Sequence, residues 1–317
     1  MATTTYLEDL EKESELDFEI VSYQENLDDG LLELMNTRPE DAMSWGYEAF
    51  DNKLWYILPW QLILVWWVTG SWKSTLTNQV CQNISNQWIK VWKFTLEDRH
   101  QDRKKQELYY EVWRIRKKMW YKNYPMNEFM INNCDIDESI LDQAKKNLIR
   151  KNKNILEIKK NTEKRINIDK LEILVKDLVD MWSKLVVIDH LNEFELTWDK
   201  DRNDLKIEEV MYKLKDIWRR YNIAIILIAH YKKLWKDAKP NDESFKDSIA
   251  IAQVANKVIH IYRDKLAWED WITEVIITKN RDNPRGTWTL ELNYDADTNA
   301  YTNIKSKRQL EKESNLF

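Results

Sequence analysis

Apolar residues along the chain follow two rhythms. Short runs rich in Val, Ile and Leu occupy residues 61–65, 91–96, 185–188, 224–229, 258–262 and 275–278, and a further strand-like stretch follows at 287–293. Runs of this length and composition read as buried strands. Between them, residues 74–87, 168–181 and 205–221 carry apolar side chains at helical spacing. Residues 99–122 and 140–153 are helix-like but dense in charge, the pattern of a solvated helix face, and 155–158 reads as a short strand. Helices alternating with buried strands predict an α/β fold with a mostly parallel central sheet flanked by helices.

Ahead of the first strand, residues 7–35 mix Leu, Ile and Phe with many carboxylates, which predicts an acidic helical arm joined by a linker at 37–41. The expected organisation is an arm and linker over 1–43, one domain over 44–305 and a charged tail over 306–317. Residues 54–72 form an uncharged stretch of membrane-span length. Pro59, Gln61, Thr69, Gly70 and Ser71 interrupt it, so it reads as a buried strand running into a loop, and no membrane association is expected. The polar, acidic beginning has no signal-peptide pattern, and the two cysteines, Cys81 and Cys134, suggest neither a disulfide framework nor a zinc site. A cytoplasmic protein is expected. The formal charge of -5 excludes binding of nucleic acid by overall basic attraction, leaving that task to local basic loops.

Composition changes this picture in one respect. A chain of 317 residues at average usage holds about 22 glycines, and this one holds four, alongside 17 tryptophans. The surplus of one residue nearly matches the deficit of the other. Trp88, Trp120 and Trp182 follow helix-like runs, where a left-handed residue is favoured, and Trp198, Trp235, Trp268 and Trp271 lie among charged loop residues. Glycine suits all of these positions. The expectation is that the source decodes UGA as glycine, whereas decoding UGA as tryptophan gives the chain as written. Gly30, Gly46, Gly70 and Gly286 then come from ordinary glycine codons, while Trp45, Trp92, Trp113 and Trp218 fit either residue.

The candidate chemistry begins at Trp67-Val68-Thr69-Gly70-Ser71-Trp72-Lys73-Ser74, followed by Thr75. With glycine at 67 and 72 this is the phosphate-binding loop G-x-x-x-x-G-K-[ST], between a strand and a helix. Small residues are needed there because backbone N–H groups wrap the phosphates at the positive end of a helix. Lys73 is expected to reach the β and γ phosphates of ATP or another NTP, and Ser74 to hold Mg²⁺. Leu185-Val186-Val187-Ile188-Asp189 is an apolar strand ending in a carboxylate suited to positioning the same Mg²⁺. Glu97, with Asp98 as substitute, ends another strand and can deprotonate an attacking water. His230 ends the run 224–229 and can donate to a γ-phosphate. Lys279 and Arg281, after 275–278, can stabilise phosphoryl-transfer charge in the same or a neighbouring subunit.

Taken together, these residues resemble the RecA-like motor domain of DnaB-type and Twinkle-type hexameric replicative helicases. The likeness is carried by Leu54-Trp55, Leu58-Pro59-Trp60-Gln61-Leu62, the phosphate loop, Phe94-Thr95-Leu96-Glu97, Val187-Ile188-Asp189-His190, Ile228-Ala229-His230, Gln253 and Thr278-Lys279-Asn280-Arg281. It implies a P-loop NTPase acting as a homohexamer that pulls single-stranded DNA through its channel 5′ to 3′. It further implies Glu97 as catalytic base, His230 and Gln253 as γ-phosphate sensors, Arg281 as arginine finger with Lys279 beside it, and a primase or helicase loader as partner. DNA contacts are expected near 192–203 and 231–248, with Lys232, Lys233, Lys236 and Lys239 on phosphates. Residues 7–35 stand where the family packs a segment on the next subunit. A recombination or repair ATPase of the same fold is the alternative enzyme, and a catalytically dead DNA-binding ring follows if Trp67 and Trp72 are genuine.

Overall fold

The computed structural model describes residues 22–36, 41–67, 73–95, 100–119, 137–159, 167–190, 194, 203–230, 249–263, 272–283, 288–295 and 298–303. The chain divides into two units, 1–41 and 42–317. The first contains helix α1 (Tyr23–Asn36), which falls within the expected acidic arm and exposes Tyr23, Leu27, Leu31 and Leu32.

The second unit opens with a short helix, α2 (Glu48–Leu54), ahead of β1 (Leu62–Trp67), α3 (Lys73–Asn86) and β2 (Lys90–Thr95). Helices α4 (His100–Lys118) and α5 (Glu138–Lys151) precede β3 (Ile155–Lys159). Then α6 (Ile168–Asp180), β4 (Ser183–Asp189), α7 (Asn203–Arg220), β5 (Ala224–His230), α8 (Ile249–Val254) and β6 (Lys257–Tyr262) alternate, before β7 (Ile272–Asn280), β8 (Trp288–Asp295) and β9 (Ala300–Asn303). Every strand expected from the apolar runs is present. The helix α8 and strand β9 were not expected, because six and four residues are too short to show a period.

Among the described residues the strands form one sheet in the order β3-β2-β4-β5-β1-β6-β7-β8-β9. The first six in that order run parallel, and the β6–β7, β7–β8 and β8–β9 pairs are antiparallel. Strand alternation sends side chains to two cores. Leu64, Val186, Ile188, Ile225 and Leu227 meet Leu171, Val175, Leu178 of α6 and Met211, Leu214, Ile217 of α7. On the other face Ile63, Val65, Val187, Ile226 and Ile228 meet Leu76, Val80, Cys81 and Ile84 of α3. Helix α3 therefore lies on the face of the sheet opposite α6 and α7, and it starts near the end of β1 that leads into it.

The backbone bears directly on the tryptophan surplus. Positive φ occurs at Gly46 (77°), Asn222 (48°) and Asn299 (46°), and at four tryptophans: Trp55 (59°), Trp60 (59°), Trp88 (67°) and Trp182 (65°). A bulky residue in this region is an outlier, at a cost of roughly 1–2 kcal/mol from Cβ crowding. Trp55 has ψ of -178°, which with its φ is a region that essentially only glycine occupies. Trp88 and Trp182 each follow a helix, α3 and α6, as their sequence position predicts, and are 77% and 80% exposed. Trp45 differs. It is buried, its Nε1 donates to the Trp55 carbonyl at 2.8 Å, and its ring meets Phe50 edge-on. Trp72, Trp120, Trp198, Trp235, Trp268 and Trp271 lie outside the described residues.

Candidate active site

The carboxyl ends of the parallel strands align four positions on one rim. Thr95 of β2 is in register with Asp189 of β4, Asp189 with Ile228 of β5, and His230 of β5 with Trp67 of β1. This is the rim at which open α/β sheets hold ligands. Trp67 is the last residue of β1, at this rim, and the next described residue, Lys73, begins α3. No acidic residue stands in the first turn of α3, leaving the positive end of its dipole available to an anion. Asp189 is 3% exposed. It faces α3, as the alternation of β4 requires, since Leu185 and Val187 pack in the same core as α3.

A buried lysine stands beneath this rim. Lys93 of β2 is 2% exposed and its Nζ donates to Asn78 Oδ1 of α3. Burial lowers its pKa, the proximity of Arg103 adds to that, and Glu157 and Asp189 act in the opposite direction. The sequence signal for Lys93 is a lone charge within an apolar run, which the strand reading passed over.

The first turn of α3 is tied to the antiparallel end of the sheet. Thr75 Oγ1 donates to Asn299 Oδ1 at 2.5 Å, so its hydroxyl is already engaged and its remaining offer to a nucleotide is backbone. One turn on, Gln79 exchanges two hydrogen bonds with the Tyr301 backbone, 2.7 and 3.1 Å. No sequence pattern announces these partners, which lie more than two hundred residues apart.

Lys279, Arg281 and Gln253 occupy the opposite rim. Strand β7 runs antiparallel to β6, pairing Asn280 with Lys257, and Lys257 pairs with Ile63 near the start of β1. Ile63 and Trp67 are four residues apart on β1, so about 13 Å along the strand separates this level from Trp67, at about 3.3 Å per residue. Here Lys279 Nζ donates to the carbonyls of Ala252 and Gln253, both at 2.8 Å, and Arg281 Nη2 donates to the Gln253 carbonyl at 2.8 Å. Two cations thus satisfy the last carbonyls of α8, which no intrahelical donor can reach. Partial burial, then the neighbouring Arg281, push the Lys279 pKa down to about 8. The base of the Arg281 segment is fixed by fully buried Lys257, whose Nζ lies 3.0 Å from Asp282 and donates to the Tyr56 carbonyl at 2.7 Å. Gln61 Nε2 also donates to Asp282, at 2.6 Å. The structure therefore unites Gln253 with Lys279 and Arg281, and separates all three from Asp189 and His230 of the same chain.

Other expected residues fall outside the description. Glu97, Asp98 and the loop residues Val68, Thr69, Gly70, Ser71 and Trp72 lie outside the described residues, as do Lys232, Lys233, Lys236 and Lys239. For Trp67, Lys73 and His230 the backbone is described and the side chain is not. His260 is a satisfied core residue, with Nε2 at 2.7 Å from Thr278 Oγ1.

A family model described as the DnaB-like helicase C terminal domain matches residues 42–303. The chain belongs to that family. Among relatives, the replicative DNA helicase DnaB of Buchnera aphidicola subsp. Baizongia pistaciae is 24% identical over 270 residues, covering 80% of this chain and 54% of that protein. The DnaB of Buchnera aphidicola subsp. Schizaphis graminum is 26% identical over 116 residues, 34% of this chain and 25% of that one. The chain thus spans about half, or less, of the curated DnaB proteins it matches. Among solved structures, a DnaB-like replicative helicase studied with primase superposes with a TM-score of 0.73 at 18% identity, covering 96% of this chain and 71% of that one. A separately solved ATPase domain gives 0.70 at 18% identity over 90% of this chain and all of that one. The fold is the RecA-like one of DnaB-type motor domains. No helix among the described residues is long and apolar enough to cross a membrane.

Proposed function

We propose that this chain is the NTP-hydrolysing motor of a replicative DNA helicase, working as a homohexameric ring that draws single-stranded DNA through its channel 5′ to 3′. One observation carries the reading: the candidate residues stand on two opposite rims of one sheet. Trp67, Asp189 and His230 share one rim, and Lys279 and Arg281 share the other. A single copy cannot close both groups on one phosphate. A head-to-tail contact between copies can, and such a contact, repeated with rotation, closes a ring. In that arrangement Arg281, with Lys279 beside it, meets the transferring phosphate of the neighbouring copy.

The residues present fit ATP and Mg²⁺. The N-terminus of α3 is free of carboxylates, and Asp189 is a buried acid facing that helix. Lys73 would take the β and γ phosphates, and Ser74 and Asp189 would hold the metal, which supplies charge neutralisation to the phosphates. Glu97 would orient and deprotonate water, and His230 would report the γ-phosphate. Gln253, on the rim with Arg281, would act at the neighbour's site or not at all. The reading also requires glycine at 67 and 72 in the protein as its own cell makes it, since an indole at either position would fill the space the phosphates need. The left-handed backbone at Trp55, Trp60, Trp88 and Trp182 supports that substitution pattern across the chain. A cytoplasmic setting and a primase or loader partner go with the replicative role, and the exposed apolar residues of α1 suit docking on an adjacent copy.

The test is fork unwinding by the chain produced with glycine at the UGA codons. ATP-dependent unwinding by a hexamer, with hydrolysis stimulated by single-stranded DNA, is expected. Pairing of homologous strands without unwinding would instead identify a recombination ATPase, and failure to bind ATP a dead ring.

A further inference from the structure

The hairpin that ends the sheet touches both helices that follow the nucleotide rim, and one residue does most of the touching. Asn299 sits in the turn between β8 and β9 with φ of 46°. Its Oδ1 accepts two hydroxyls, Thr75 at 2.5 Å and Tyr294 at 2.8 Å. Burial raises the Tyr294 pKa, so this hydroxyl keeps the proton it donates. The Asn299 carbonyl accepts Arg114 Nη2 of α4 at 3.3 Å, and Arg114 is itself paired with buried Glu111 at 3.0 Å. On either side the hairpin is pinned again: Lys117 of α4 pairs with Asp295 at 3.0 Å, and Tyr301 exchanges hydrogen bonds with Gln79 of α3.

Thr75 directly follows Ser74 in the first turn of α3. Helix α4 is the element that follows the chain leaving β2 beyond Thr95. We propose that Asn299 is a positioning residue of the nucleotide site, setting the first turn of α3 through its side chain and α4 through its carbonyl. This rests on the nucleotide-binding reading given above. An asparagine serves because it tolerates a left-handed backbone while offering an acceptor with two lone pairs, one for each hydroxyl. Glycine would keep the backbone and lose the acceptor. Aspartate would keep the acceptor.

That difference separates positioning from mere turn formation. In the full chain made with its native decoding, Asn299→Gly is expected to lower kcat/KM for ATP by roughly tenfold to a hundredfold, mainly in kcat, because it displaces groups that touch the phosphates. Asn299→Asp should retain most of the activity. Thr75→Val should lose activity similarly, and the Asn299→Gly, Thr75→Val double variant should lose no more than either alone. Parent-like activity in Asn299→Gly, failure of Asn299→Asp to rescue, or additive losses in the double variant would each overturn the proposal. Amide hydrogen exchange tests it without hydrolysis: Asn299→Gly, but not Asn299→Asp, should speed exchange at Thr77–Val80 of α3. A parent that does not hydrolyse ATP would sink the motor reading, and exchange alone would then decide this one, unchanged rates overturning it.

Discussion

At residues 88 and 182 the backbone turns left-handed directly after a helix, and the attached indole lies mostly in solvent. Little packing opposes its removal. At 88 the ring meets the Lys153 ammonium, 3.0 Å from the ring centre, and an exposed contact of this type is worth roughly 0.5–1 kcal/mol. Relief of the Cβ crowding, roughly 1–2 kcal/mol per site, should outweigh that loss and the greater freedom glycine gives the unfolded chain. Trp182→Gly is therefore expected to raise the thermal midpoint by about 2–4 °C, and Trp88→Gly by less. Trp45→Gly should do the reverse, because it empties a buried site and removes the Trp55 carbonyl's donor, at a cost of roughly 3–5 kcal/mol. Thermal unfolding of the three variants checks the assignment. A fall at 182 matching the fall at 45 would remove the structural case for glycine there. The codons give a second check, with UGA expected at 55, 60, 67, 72, 88 and 182, and UGG at 45.

Among elements, the β6–β7 pair carries a pH response. His260 is fully buried beside Thr278, and burial pushes its pKa down to about 4 from 6.5. Its folded-state pKa is below the unfolded value, so as pH falls the unfolded chain takes up the proton first. The stability present above about pH 6.5 is lost between there and about pH 4, by about 3 kcal/mol in order of magnitude. His260→Asn should flatten that part of the stability curve in denaturant titrations at pH 7 and 5. An unchanged slope would show that other groups carry it. The direction of β7 also marks where sequence reading stopped. Val275, Ile276 and Ile277 announce a strand by composition, and Asp189 announces itself by ending one. Nothing in either pattern says whether β7 runs with β6 or against it, because side chains alternate the same way in both. That one unknown left Arg281 open to the same or a neighbouring subunit. Asn299 was illegible for a related reason: its partners Thr75 and Arg114 come from remote parts of the chain, and a turn asparagine looks like any other.

For the molecule as a whole, the proposed function together with the opposite rims makes hydrolysis a property of an assembly rather than of one copy. Arg281→Ala subunits should fold and bind ATP, since Arg281 is exposed and its contact is with a helix end. Mixed into the parent, they should disable the neighbour's site rather than their own. Hydrolysis should then fall in proportion to the mutant fraction or more steeply, and an Asp189→Asn subunit should be complemented in part by an Arg281→Ala one. Absence of complementation would argue for a site contained in one chain. Loss of the Lys257–Asp282 pair should have a different effect. Lys257→Met removes a charged donor from partly exposed Asp282, which keeps Gln61, and a penalty of about 1–3 kcal/mol is expected in urea unfolding.

Trp55 is the first tryptophan of the described chain whose backbone all but requires glycine, and it precedes β1 and the phosphate loop. If UGA specifies it, a cell using the standard code ends the polypeptide there, before the first strand of the sheet. A cell that reads UGA as tryptophan finishes the chain and obtains a blocked loop. Only a cell sharing the donor's code receives a working enzyme, so a single left-handed turn doubles as a quarantine on the gene.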